Sequence, residues 1–131
     1  MRQPCILIVE ADVLVRNPLA EYLRECGYQV QEAFDPPEAR QLLAKGSKRI
    51  DIVLTDVDDV RGENGFALAR WIRTRHPSIE VILAGTISMA AAKAGELCEE
   101  GPKLSKPYDH RMILDHIRRL QAARDRGAPT E

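Results

Sequence analysis

Short apolar runs alternate along this chain with longer segments in which apolar residues recur at helical spacing. This alternation constrains the fold most strongly, because strands that alternate with helices form βαβ units around a parallel sheet. The runs are mostly continuous, as expected for strands that helices cover on both faces. The predicted strands are residues 5–9, 29–33, 50–55, 80–84 and 103–105. We therefore predict an α/β fold with a doubly wound, five-stranded parallel sheet between layers of helices.

Capping signals set the bounds of the predicted helices. Asp35, followed by two prolines and an acid, starts the second helix, and Gly46 ends it. Pro18 leaves the start of the first helix open. A start near Asp12 places the proline inside the helix, whereas a cap at Asn17 places it at the first helical position, which tolerates proline. The other helices are predicted over residues 65–76, 89–99 and 109–122.

Length and charge exclude several classes of protein. With 131 residues, 44% of them hydrophobic, the chain is expected to form one domain whose core needs neither a metal nor a disulfide. Nineteen basic residues are offset by 20 acidic ones, so no positive field is expected to attract nucleic acid or an anionic membrane.

The N-terminal apolar run is too short for a signal peptide or a membrane span, which predicts a cytoplasmic location. We predict a domain over residues 1–122 and a flexible tail over 123–131.

The cysteines and histidines indicate no redox or zinc chemistry. Cys5, Cys26 and Cys98 are widely spaced and odd in number, so they are predicted to be reduced thiols in the core. No two histidines have the spacing that would place both on one face of a helix as zinc ligands.

Polar and charged residues follow four of the predicted strands. Glu10 follows the first strand, Asp56 and Asp58 follow the third, Thr86 the fourth and Lys106 the fifth. Ligands of open parallel sheets bind beyond the carboxyl ends of the strands, where strand order 2-1-3-4-5 would bring these residues together. Carboxylates beside an ammonium group suit a divalent cation and a phosphoryl group, with Asp56 as the nucleophile. No GxGxxG motif or P-loop follows the first strand, which argues against dinucleotide binding.

Three segments resemble the receiver domains of bacterial two-component response regulators, in the family's order and over nearly the whole chain. They are Ile6-Leu7-Ile8-Val9-Glu10, Val53-Leu54-Thr55-Asp56-Val57 and Lys106-Pro107-Tyr108. The resemblance implies a flavodoxin-like fold, an α/β three-layer sandwich. It also implies that Asp56 is the phosphoacceptor and that Lys106 binds the phosphoryl group.

For the metal site, the resemblance implies that Mg²⁺ is bound by Glu10, Asp56 and the main-chain carbonyl of Asp58. Ala11 departs from the pattern, because the family normally has an acidic metal ligand there. Mg²⁺ often keeps several waters, so the remaining groups can still bind it, but with weaker expected affinity. Asp12 and the Asp58 side chain are the candidate substitutes.

Two further departures concern switching. The family's hydroxyl position falls on Gly85, and Thr86 lies one residue later, so Thr86 is predicted more readily as a helix cap than as a site residue. The family's aromatic switch position falls on Lys103, which cannot repack as a ring does.

These observations leave two main functions open. The first is a single-domain receiver that accepts a phosphoryl group on Asp56 from a histidine kinase or phosphotransfer protein and then binds an unknown downstream protein. The same domain could equally have been excised from a longer protein. The second is a degenerate receiver that binds a partner without phosphorylation.

Neither candidate is an enzyme beyond self-phosphorylation and self-dephosphorylation, and both are expected to be monomers or weak homodimers. A flavodoxin-like enzyme or nucleotide binder is disfavoured, because no phosphate-binding loop is present.

Overall fold

The computed structural model describes residues 3–46, 49–57, 64–101 and 109–127. Its strands are β1 (Cys5–Val9), β2 (Gln29–Ala33), β3 (Ile52–Asp56) and β4 (Glu80–Ala84). Its helices are α1 (Val13–Glu25), α2 (Pro36–Lys45), α3 (Gly65–Arg75), α4 (Ile87–Glu100) and α5 (His110–Gly127).

The described strands form a parallel sheet in the order β2-β1-β3-β4. This confirms the predicted order for these four strands. The fifth predicted strand, residues 103–105, lies outside the described residues. All five residues of β1 are buried, as its central place in the sheet requires.

Helices cover both faces of the sheet, so two hydrophobic cores lie on either side of it. Side chains alternate between the faces of a strand. In β1, Ile8 therefore belongs to the core beneath α1 and α4, whereas Leu7 belongs to the core beneath α2 and α3. α5 packs against α1 and α4 and buries Ile113 and Ile117.

Local capping explains where the first two helices begin. Asp12 caps α1, and its carboxylate accepts a hydrogen bond from the Leu14 amide at 3.0 Å. Pro18 therefore lies inside α1, which confirms the first of the two predicted starts. Asp35 caps α2 by accepting a hydrogen bond from the amide three residues later at 2.9 Å, and Gly46 follows the helix with φ of 65°. Both predicted signals of α2 are confirmed.

Two cysteines form a disulfide bond rather than remaining as thiols. Cys26, directly after α1, is bonded to Cys98 in α4, whereas Cys5 is buried and takes no part in a disulfide bond. The prediction of reduced thiols is therefore wrong for two of the three cysteines. A separation of 72 residues gave no sign of contact, but α4 packs beside α1 and brings the two Cα atoms to 5.3 Å. This distance lies within the range that disulfides span.

The last helix is longer than the sequence predicted. α5 continues to Gly127, so residues 123–127, which the sequence assigned to a tail, are helical. Across the described ranges, no helix combines the length and the apolar composition that crossing a membrane requires.

Candidate functional site

The carboxyl ends of β1 and β3 place Glu10 and Asp56 side by side. Val9 pairs with Thr55 in the parallel register, so Glu10 and Asp56 are the next residues along the two strands. Both line a cavity of about 250 Å³ above the edge of the sheet. The structure thus brings together the two acids that the sequence placed in one site.

The surroundings of Glu10 disfavour its charged form. Burial of the carboxyl group, reinforced by the negative charge of Asp56, raises the pKa of Glu10 to about 7. The Asp12 amide donates a hydrogen bond to its Oε2 at 2.9 Å and, together with the positive charge of Arg16, works against that increase. The Arg16 guanidinium donates to the Glu10 carbonyl at 2.7 Å and lies 3.0 Å from Glu32.

The acids fit a hard divalent cation. The negative charge of Asp56 raises the proton affinity of Glu10, and a cation between the two carboxylates would offset their repulsion. In the ranges that the structure describes, no group of three or more His, Cys, Asp or Glu side chains forms a metal site. Mg²⁺ commonly keeps several waters, so two carboxylates can be enough to bind it. The predicted residues Asp58 and Lys106 lie outside the described residues.

The carboxylate of Asp12, a candidate substitute for the ligand missing at Ala11, is engaged by other parts of the chain in this structure. One of its oxygens caps α1 at the Leu14 amide and also accepts from Arg124 at 3.0 Å, while the other accepts from Gln121 at 3.0 Å. Burial would raise the pKa of Asp12, but these hydrogen bonds outweigh it and lower the pKa below its ordinary value. In this arrangement the Asp12 carboxylate is held by α1 and α5.

Thr86 and Gly85 line the same cavity from the end of β4. The Thr86 hydroxyl caps α4 by accepting a hydrogen bond from the Met89 amide at 3.0 Å, as its predicted capping role requires. Among the described residues, a Cβ atom at Gly85 would meet a methyl group of Val57 at 3.5 Å, an ordinary contact distance.

Gly65 is a site residue whose importance the sequence reasoning missed. Its amide donates a hydrogen bond to the Val57 carbonyl at 3.3 Å, which places the start of α3 against the end of β3. A Cβ atom at Gly65 would overlap the carbonyl oxygen of Asp56. The only sequence signal was a glycine at the first position of a predicted helix, and it gave no indication of this contact.

Comparison with known proteins gives consistent matches. The sequence model of one protein family, the response regulator receiver domain, matches residues 6–118. The aerobic respiration control protein ArcA of Escherichia coli K12 is 31% identical over 120 residues, which cover 92% of this chain and 49% of ArcA. The transcriptional regulatory protein GltR of Pseudomonas aeruginosa is 31% identical over 118 residues, which cover 88% of this chain and 48% of GltR. The chain thus spans about half the length of these relatives.

Solved structures show the same architecture. The signal receiver domain of an HD domain-containing protein from Pseudomonas fluorescens Pf-5 has a TM-score of 0.60 at 26% identity, with 95% of this chain and 99% of that one covered. Chemotaxis protein CheY4 of Vibrio cholerae also has a TM-score of 0.60, at 20% identity, with 91% and 99% covered. The second likeness supports the flavodoxin-like fold alone.

Proposed function

This chain belongs to the response regulator receiver family, which acts in phosphorelay signalling, and from that membership we propose that Asp56 accepts a phosphoryl group. The donor is a histidine kinase or a phosphotransfer protein. An oxygen of Asp56 attacks phosphorus, the bond between phosphorus and the donor nitrogen breaks, and an acyl phosphate forms on Asp56. The convergence of Glu10 and Asp56 on one cavity carries this proposal.

The other groups of the site have supporting roles in the proposal. Glu10 and Asp56, with the main-chain carbonyl of Asp58, hold Mg²⁺, which neutralises charge on the phosphoryl oxygens when bound. Lys106 contributes a second positive charge. Without a carboxylate at Ala11, the affinity for Mg²⁺ is reduced.

Beyond the site, we propose a cytoplasmic receiver domain that is a monomer or a weak homodimer. Its phosphorylation changes its affinity for a downstream protein, and it catalyses no reaction beyond its own phosphorylation and dephosphorylation.

Phosphorylation is tested by intact mass after incubation with acetyl phosphate and Mg²⁺. Wild type and Asp115→Asn are expected to gain one phosphoryl group, whereas Asp56→Asn gains none. Asp115 is a suitable matched control because it is an exposed acid of α5, remote from the cavity. Equal labelling of Asp56→Asn and wild type would defeat the assignment of Asp56.

A degenerate receiver is the second candidate. It is favoured by Asp12 and Thr86, because these two of the side chains that could replace missing site groups are engaged as helix caps. If neither a phosphorylated kinase nor Mn²⁺ in place of Mg²⁺ leads to labelling of Asp56, this function replaces the first. Partner binding would then be the same for wild type and Asp56→Asn.

A further inference from the structure

The end of α5 contacts the loop that carries the metal-site acid. Gln121 Nε2 lies 3.0 Å from Asp12 Oδ2, and Arg124 Nη1 lies 3.0 Å from Asp12 Oδ1. These contacts join residues that are 109 and 112 positions apart in the chain. The Arg124 contact exists because α5 continues past residue 122 to Gly127, so that its last turns pass the start of α1.

Asp12 connects this contact to the site itself. Its amide donates a hydrogen bond to Glu10 Oε2 at 2.9 Å, while its carboxylate accepts from α5. A continuous set of hydrogen bonds therefore runs from Arg124 through Asp12 to Glu10. The Asp12 side chain is also half-buried, which limits its exchange with water as an alternative partner.

We propose that Gln121 and Arg124 are positioning residues that hold Asp12 away from the cation site, so that docking of the α5 end and cation binding oppose one another. This inference rests on the metal site of the proposed function. We call the contact of Gln121 and Arg124 with Asp12 the α5 latch.

Two physical effects explain why the α5 latch weakens cation binding. The Arg124 guanidinium brings a positive charge to the loop that a divalent cation must approach, which weakens cation binding. The guanidinium also binds the carboxylate of Asp12. Asp12 follows Ala11, the position that lacks a ligand side chain. Coupling between two sites is reciprocal, so a bound cation must loosen the latch by the same factor.

The test measures the dissociation constant of Mg²⁺ by calorimetry on the purified full chain. Arg124→Gln is expected to bind Mg²⁺ roughly two- to fivefold more tightly than wild type, the range that corresponds to a partly exposed ion pair. Arg124→Lys, which retains the charge and a donor, is expected to restore the wild-type value. Gln121→Ala removes the other half of the latch and should tighten binding in the same direction.

Arg126→Gln is the matched control, because it removes the same charge from the same exposed helix end without touching Asp12. Equal affinities of Arg124→Gln and Arg126→Gln would overturn the latch and leave only a general effect of charge. Hydrogen exchange supplies a second readout. Mg²⁺ should speed exchange over residues 118–127 of the wild type, and unchanged or slower exchange there would also overturn the latch.

The same experiment separates this inference from the proposed function. Binding that Glu10→Gln abolishes, but that the arginine variants leave unchanged, would overturn the latch alone. A wild type that binds no Mg²⁺ at the site would overturn the metal site and the latch together.

Discussion

Single residues of this site show that the chemistry of an acid depends on its surroundings. Glu10 and Asp12 are two positions apart, yet burial raises the pKa of Glu10 while hydrogen bonds lower the pKa of Asp12. One carboxylate faces a second acid, whereas the other is met by a guanidinium and two further donors. A cation can therefore offset the repulsion between Glu10 and Asp56, whereas the Asp12 carboxylate already has its hydrogen-bond donors.

Glu10→Gln is expected to change the pH dependence of stability in metal-free buffer. The pKa of Glu10 is about 7 in the folded chain, against an ordinary value of 4.5. The folded state therefore binds this proton more tightly than the unfolded state. Below pH 4.5, ionisation of Glu10 does not lower the free energy of unfolding. The loss of stability grows as the pH rises to 7 and is complete above that value.

Urea denaturation from pH 4.5 to 8 checks this expectation. The wild type should lose stability relative to Glu10→Gln across this window. Glu21→Gln, a change at an exposed acid of α1, should follow the wild type. Parallel pH profiles for wild type and Glu10→Gln would contradict the expected burial of the carboxyl group.

At the scale of elements, caps decide where helices begin and which site groups remain available. Thr86 illustrates both roles, because the residue lines the cavity while its hydroxyl accepts a hydrogen bond from the Met89 amide. Gly65 illustrates a different constraint, since only a residue without Cβ lets α3 start against the main chain of Asp56. The start of each helix is thus part of the geometry of the site.

Substitutions at Thr86 separate its capping role from a role of its hydroxyl. Thr86→Ala is expected to lower the free energy of unfolding by about 1 kcal/mol, because the Met89 amide loses its acceptor. Thr86→Asp keeps an acceptor oxygen but no hydroxyl, so its stability should remain close to that of wild type. Urea denaturation measures both. A Thr86→Asp variant as unstable as Thr86→Ala would show that capping is not the role of this residue.

At the scale of the whole molecule, the disulfide joins the end of α1 to α4 across 72 residues. The same junction contains a buried hydrogen bond from the Tyr28 hydroxyl to the Leu97 carbonyl at 2.6 Å. Gly101 lies against the Tyr28 ring, where a Cβ atom would come within 2.8 Å of a ring carbon. These contacts attach the helix that follows the site to the helix that precedes β2.

Reduction of the disulfide is expected to lower the free energy of unfolding substantially. The loop-closure model gives about 4 kcal/mol for a loop of this length, as a consequence of the constraint on the unfolded chain. Unfolding in urea with and without a phosphine reductant measures the difference. The double variant Cys26→Ala/Cys98→Ala should be insensitive to the reductant, whereas Cys5→Ala should remain sensitive. A wild type equally stable under both conditions would contradict a disulfide between these residues.

The sequence by itself determined the features that depend on local patterns. The alternation of apolar runs and helical segments predicted the four strands that the structure describes, because strand and helix periodicities are visible in short windows. Their order was expected from the doubly wound fold and not from periodicity. Asp35 and Gly46 predicted the bounds of α2, because capping involves neighbours in the chain. Glu10 and Asp56 were placed in one site, because parallel strands bring their carboxyl ends to the same edge.

Only the tertiary structure decided the contacts between distant residues. The Cys26–Cys98 bond, the position of Gly65 against Asp56 and the contacts of Asp12 with α5 all depend on how elements pack together. Packing places two residues in contact according to the crossing of helices and the register of strands, and neither leaves a pattern in a short stretch of sequence. The same physics explains Asp12, whose sequence position suggested a metal ligand and whose partners make it a cap held by α5.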